Sequence, residues 1–222
     1  MYSQTNKQIV AFLILLLVAN TAFAHTINYQ LEKAPVHNVI GFYALLGVRH
    51  IIPNGFDHIL FITGLCLLNT KWKTILWQAT AFTIAHSITL ALSMKGIIMM
   101  PSPIVEPLIA LSILFVAIEN IILSELKPWR IAVVFLFGLI HGLGFASSLN
   151  EIGLPRNRFL TSILSFNFGV EMGQLIVIVF VFGLLIFPFK QRINYRRNIV
   201  YPASVLIAVI AAYWTVERIA AT

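Results

Sequence analysis

Read from the amino terminus, the chain alternates long apolar runs with short polar breaks, and the length of each run decides what it can be. A helix advances about 1.5 Å per residue, so about 20 apolar residues cross the hydrocarbon core of a bilayer. Runs of that order lie at about 74–94, 104–124, 131–149, 159–187 and 199–219, separated by loops bearing Pro, Gly, Asn and charge. A further span begins with Phe56–Leu68. The run Val39–Ile52 is too short to cross and is broken by Pro53-Asn54-Gly55, so it is expected to lie along the outer interface or to re-enter. The expected fold class is all-α, a polytopic transmembrane helix bundle of about six spans occupying residues 39–222.

Residues 1–24 follow a different pattern. Lys7 sits in a polar start, Ile9–Val18 form a short apolar core, and Ala22-Phe23-Ala24 make a small-x-small cleavage site. These are the parts of a signal peptide. Its removal would leave residues 25–38 as an outer polar segment, with His25 as the new terminus. A terminal histidine offers an imidazole and a free α-amine to copper or nickel, which makes His25 a candidate ligand.

Composition narrows the class. With 59% hydrophobic and 10% charged residues, too few polar side chains exist to cover a water-soluble surface. The net charge of +7 falls in short clusters between apolar runs, so the expected partner is the lipid bilayer and not nucleic acid. Counting from an exported His25, the inner loops hold Lys71, Lys73, Lys127, Arg130, Lys190, Arg192, Arg196 and Arg197, eight cations against six outside. This bias is expected to place both mature ends outside, which is the periplasm if the membrane is a bacterial inner membrane. The single cysteine, Cys66, excludes a disulfide framework or a thiolate cluster within the chain.

Candidate chemistry lies where lipid penalises it. Asp57, His58, His86, Glu106, Glu119, His141, Asn167, Glu171 and Gln174 all fall in or beside the spans. Each charged group at the bilayer centre costs a few kcal/mol, and a set rich in His and carboxylate argues for a shared polar site. By helical rise, Asp57 and His58 start near the outer surface, whereas His86, His141 and Asn167 lie about 12 to 13 Å below it and Glu171 about 18 Å. Asn167, Glu171 and Gln174 share one helix face, with Ser87, Thr83 and Asn167 available to orient imidazoles. Imidazole with carboxylate suits a divalent transition metal such as Ni, Co or Zn.

Five blocks carry a further signal: GVRHIIPNGFDHILF at 47–61, FTIAHSITLAL at 82–92, VEPLIALSI at 105–113, FGLIHGLGFASSL at 137–149 and FNFGVEMGQL at 166–175. Together they resemble the second branch of the HupE/UreJ family of membrane proteins. The resemblance implies a polytopic protein associated with nickel or cobalt uptake, often supplying hydrogenase or urease maturation. It puts His50, Asp57, His58, His86, His141 and Glu171 at motif positions. On this reading His50, Asp57 and His58 gather a metal ion at the outer mouth, His86, His141 and Glu171 bind it deeper, and Glu119 is an inner relay. Ser87, Glu106, Asn167 and Gln174 support or relay.

The same residues would also suit a membrane-embedded zinc hydrolase, or a metal chaperone for metalloenzyme assembly. Transport alone requires a polar path to the far side, for which the sequence offers only Glu119 and Asn120. The absence of a P-loop argues against an ATP-driven pump on this chain.

Overall fold

The apolar runs become helices in a computed structural model that describes residues 30–190 and 194–221. The expected signal peptide and His25 lie outside those residues. Among the described residues there is no strand. Helices α1 (Val36–Ile51) and α2 (Phe56–Leu68) form a pair bent by 69° at the Pro53-Asn54-Gly55 break. Five longer helices follow, each long and apolar enough to cross a membrane: α3 (Trp72–Met94), α4 (Ser102–Ile122), α5 (Arg130–Ile152), α6 (Phe159–Val181) and α7 (Tyr201–Ala220). A π-helical turn extends α6 to Ile186, and another at Arg196–Val200 leads into α7. Their ends follow local chemistry. Pro103 sits in the first turn of α4, where no intrahelical N–H bond is lost, and Gly153 ends α5 at φ 82°, a left-handed conformation that favours glycine.

The segment expected to lie on the interface or re-enter packs into the bundle. Helix α1 descends beside α6, from Glu32, whose carbonyl accepts a bond from Asn157 Nδ2 at 3.3 Å, to Ile51, which packs on Gly173. Helix α2 then continues to the opposite end, where the Leu67 carbonyl accepts from the Tyr195 hydroxyl at 3.4 Å. Burial pushes that hydroxyl up to about 12, so it keeps its proton and remains a donor. At about 1.5 Å per residue, 16 residues reach roughly 24 Å and 13 reach roughly 20 Å, so neither half crosses alone. The run was short because its span is broken in the middle. Counted as one span, the pair of half-helices brings the number of candidate crossings from five to six.

Two ends can now be distinguished. The upper end carries the loops at 95–101 and 153–158, tied together by Lys95 over the Phe159 ring at 5.3 Å, together with Glu32 and Arg218. The lower end carries the loops at 69–71 and 123–129.

Glycines let the helices touch backbone to backbone. A Cβ on Gly169 of α6 would meet the Ala44 carbonyl oxygen of α1, and one on Gly142 of α5 would meet the His86 carbonyl of α3. Val39, Tyr43, Ile51, Phe166 and Val170 fill the α1–α6 seam, while Phe61, Leu65, Phe82, Ile113, Val116 and Val134 build a second apolar layer. Leu164, Phe168, Phe180, Leu206 and Val209 point outward, as befits a surface solvated by lipid.

Candidate metal centre

The break in the first span brings histidines from four helices together. His50 ends α1, and Asp57 and His58 open α2. His86 comes from α3 and His141 from α5, whose close crossing at Gly142 sets the two at similar height. Ring centroids lie 4.6 Å apart for His50 and His58, 5.0 Å for His58 and His141, and 5.9 Å for His50 and His86. One ligand nitrogen from each of His50, His58 and His86 lies within 4.8 Å of the others. A transition metal about 2.1 Å from each nitrogen needs separations of about 3 to 4 Å, which small side-chain rotations supply. Asp57 and His58 thus stand level with His86 and His141. Their expected position near the outer surface followed from starting the first span at residue 56.

The surrounding hydrogen bonds decide which nitrogen of each ring is free. Asp57 Oδ1 accepts from His58 Nδ1 at 3.0 Å and from the His58 backbone N–H at 2.9 Å. Asn167 donates its Nδ2 to the Ile163 carbonyl, so its Oδ1 is the acceptor facing His86 Nδ1 at 3.2 Å. Ser112 gives its only proton to the Ile109 carbonyl at 2.7 Å, so at 2.9 Å it must accept from His141 Nε2. Each of these three rings therefore turns a lone pair away from its orienting partner. The free nitrogens, Nε2 of His58 and His86 and Nδ1 of His141, are buried without a hydrogen-bond partner, as is Nε2 of His50. A buried polar atom left unpaired costs about 1 to 3 kcal/mol, so the free nitrogens of His50, His58 and His86 suit a shared cation, while His141 stands beside His58 outside that three-histidine group.

Access comes from the upper end. A cavity of about 230 Å³ is lined by His50, Asn54, Asp57, His58, Glu106, His141, Phe145 and Ser148. Glu106 pairs there with Arg218 at 3.2 Å. Phe145 lies over His50 with ring centroids 3.9 Å apart, and Phe61 and Phe82 pack on His141. Aromatic walls of this kind keep the dielectric low, which strengthens any charge interaction inside.

Other expected site residues lie elsewhere. Glu171 is outside the three-histidine group and accepts from Thr80 Oγ1 at 2.7 Å, with its Oε2 buried and unpartnered. Gln174 accepts from Thr83 at 3.3 Å, and Ser87 bonds the Thr83 carbonyl rather than an imidazole. Glu119 sits near the lower end, 3.3 Å from Arg130. Sequence reasoning missed Ser112 and Arg130. The first looked like a generic polar group in an apolar run, and the second like a loop charge because it begins α5.

A family model described as HupE / UreJ protein matches residues 25–218 of the chain. No curated protein and no solved structure matches it.

Proposed function

Because the chain belongs to the HupE/UreJ family, membrane proteins associated with nickel and cobalt, we propose that it is a permease for a divalent transition metal, nickel or cobalt. The four histidines hold the ion during its passage. The observation that carries this reading is the grouping of the buried, unpartnered imidazole nitrogens of His50, His58 and His86, of which His50 and His58 line, with His141, a cavity that leads to the upper end. A hydrated ion entering there exchanges waters for neutral imidazoles, and the Asp57 carboxylate offsets part of its charge through His58. Nitrogen donors favour Ni, Co and Zn over the oxygen-seeking Mg and Ca, and no thiolate stands in the set to favour Cu(I).

The remaining assignments follow the same reading. Residues 1–24 are a signal peptide, residues 25–38 an outer polar segment and residues 39–222 the transmembrane domain. The upper end faces outward from a bacterial inner membrane, with both mature termini on that side. Proteins that mature a nickel or cobalt enzyme are the partners on the receiving side.

The test is metal analysis of the purified protein alongside uptake of Ni²⁺, Co²⁺ and Zn²⁺ into sealed vesicles. Wild type should bind one ion and carry it, and His86→Ala and His141→Ala should lose both activities. Bound metal without uptake would reassign the centre to a resident-metal enzyme or a chaperone. Absence of bound metal in folded protein would leave the histidines structural.

A further inference from the structure

Helix α2 touches two cavities. Its first turn, with Asp57 and His58, lines the upper one. Its last residues, Leu67 and Leu68, line a second cavity of about 500 Å³ at the lower end, with Lys71, Ser124, Tyr195 and Arg196. From His58 to Leu67 is about 14 Å by helical rise. That interval holds a dry layer of Phe61, Leu65, Phe82, Ile113, Val116 and Val134, and beside it a buried polar knot. There the Asn120 side chain donates to the Gly64 carbonyl of α2 at 2.8 Å. Its Oδ1 accepts from both Arg130 terminal nitrogens at 3.4 Å, and Arg130, only 1% exposed, pairs with Glu119. Arg196 adds bonds to the Asn120 and Ile121 carbonyls.

A buried ion pair adds little net stability compared with apolar packing, yet it makes a discrete contact that is either formed or broken. This one joins α4 to α5, and Arg130 also holds the Asn120 side chain that ties both to Gly64 in the lower part of α2. The upper end of α2 is joined to α1 through the Pro53-Asn54-Gly55 break, a short loop of the kind that absorbs backbone rotation in hinged proteins, and through the ring contact of His58 with His50.

We propose that Glu119, Arg130 and Asn120 form the bolt of a lower gate, that the cavity below it is the exit vestibule, and that α2 is the moving element. Swinging α2 on the 53–55 break parts Gly64 from Asn120 and opens the dry layer to the lower cavity. The same movement withdraws His58 from the histidine cluster, so the ion loses a ligand as its exit opens. This mechanism rests on the permease reading above, and it gives Glu119 the role of closing the path instead of ligating the ion. The described arrangement is the state open above and closed below.

The chain's single cysteine provides the test. Cys66 lies on α2 between Gly64 and Leu67 and is fully buried. A charged, membrane-impermeant thiol reagent is applied to the full protein in vesicles, from each side in turn. From the lower side, Glu119→Gln should raise the rate of Cys66 labelling about tenfold over wild type, because it unbolts the gate. The double variant Glu119→Gln, Arg130→Gln leaves no unpaired buried charge and should show the same rise, which guards against a single variant that fails to fold. Ni²⁺ should slow labelling in both variants by holding His58 in place, and His58→Ala should abolish that protection. Equal labelling of wild type and both folded variants, or faster labelling from the upper side, overturns the bolt. Acceleration that Ni²⁺ leaves untouched overturns the coupling to the centre. Ni²⁺ binding measured separately by titration tests the centre itself, so failure of the permease reading is visible independently of the gate.

Discussion

The orientation of three of the four imidazoles, His58, His86 and His141, depends on a hydrogen-bonding neighbour. Asn167 and Ser112 each hold one ring nitrogen so that the other faces the cluster. Substituting such partners typically costs about 10 to 100-fold in metal affinity. Asn167→Ala and Ser112→Ala should therefore weaken Ni²⁺ binding by about that factor, measured by titration of the purified protein, while the stoichiometry stays at one ion. An unchanged affinity would mean the rings are held by packing alone. Asn167 was legible in the sequence, since it shares one face of an apolar helix with Glu171 and Gln174. Ser112 was not, because a hydroxyl in a transmembrane helix usually bonds its own backbone, and Ser112 does that as well.

At the scale of elements, the close crossings of α1 with α6 and of α3 with α5 set the height at which the histidines meet. Gly142 lies one residue after His141 and against the carbonyl of His86, so a larger side chain there forces α3 and α5 apart. Gly142→Leu should lower stability by about 1 to 3 kcal/mol and reduce metal binding together with it. Gly41→Ala offers a control, because a Cβ there meets nothing within 4 Å. Its melting temperature should match or slightly exceed wild type, given the helical preference of Ala over Gly. Melting curves in detergent with and without Ni²⁺ read both effects. The helices themselves were visible as apolar runs of spanning length. The pairing of the two short helices was not legible, because length was judged run by run and the helices on either side of Pro53-Asn54-Gly55 each fall short.

For the whole molecule, six crossings put the described residues near Glu32 and Arg218 at the same end, whatever that end faces. If that end faces outward, protein isolated from membranes should begin at His25, as intact mass shows directly. A cysteine introduced at the exposed Met99 of the upper loop, in a Cys66→Ser background, should then react with impermeant reagent outside intact cells. A Met99→Cys variant protected until the cells are opened would invert the topology. The membrane class, the apolar runs of spanning length and most of the polar residues of interest were determined by the sequence alone. Each of these follows from local quantities: the length of a run, its hydropathy and the cost of a charge in hydrocarbon. Only the tertiary structure decided which polar residues share a site. Glu119 and Glu171 look like His86 and His141 in a one-dimensional reading, yet Glu119 meets Arg130 and Glu171 meets Thr80, while the histidines meet one another. That choice depends on which helix faces press together and at what height, and these are set by side-chain packing between segments far apart in the chain, such as Gly142 against His86.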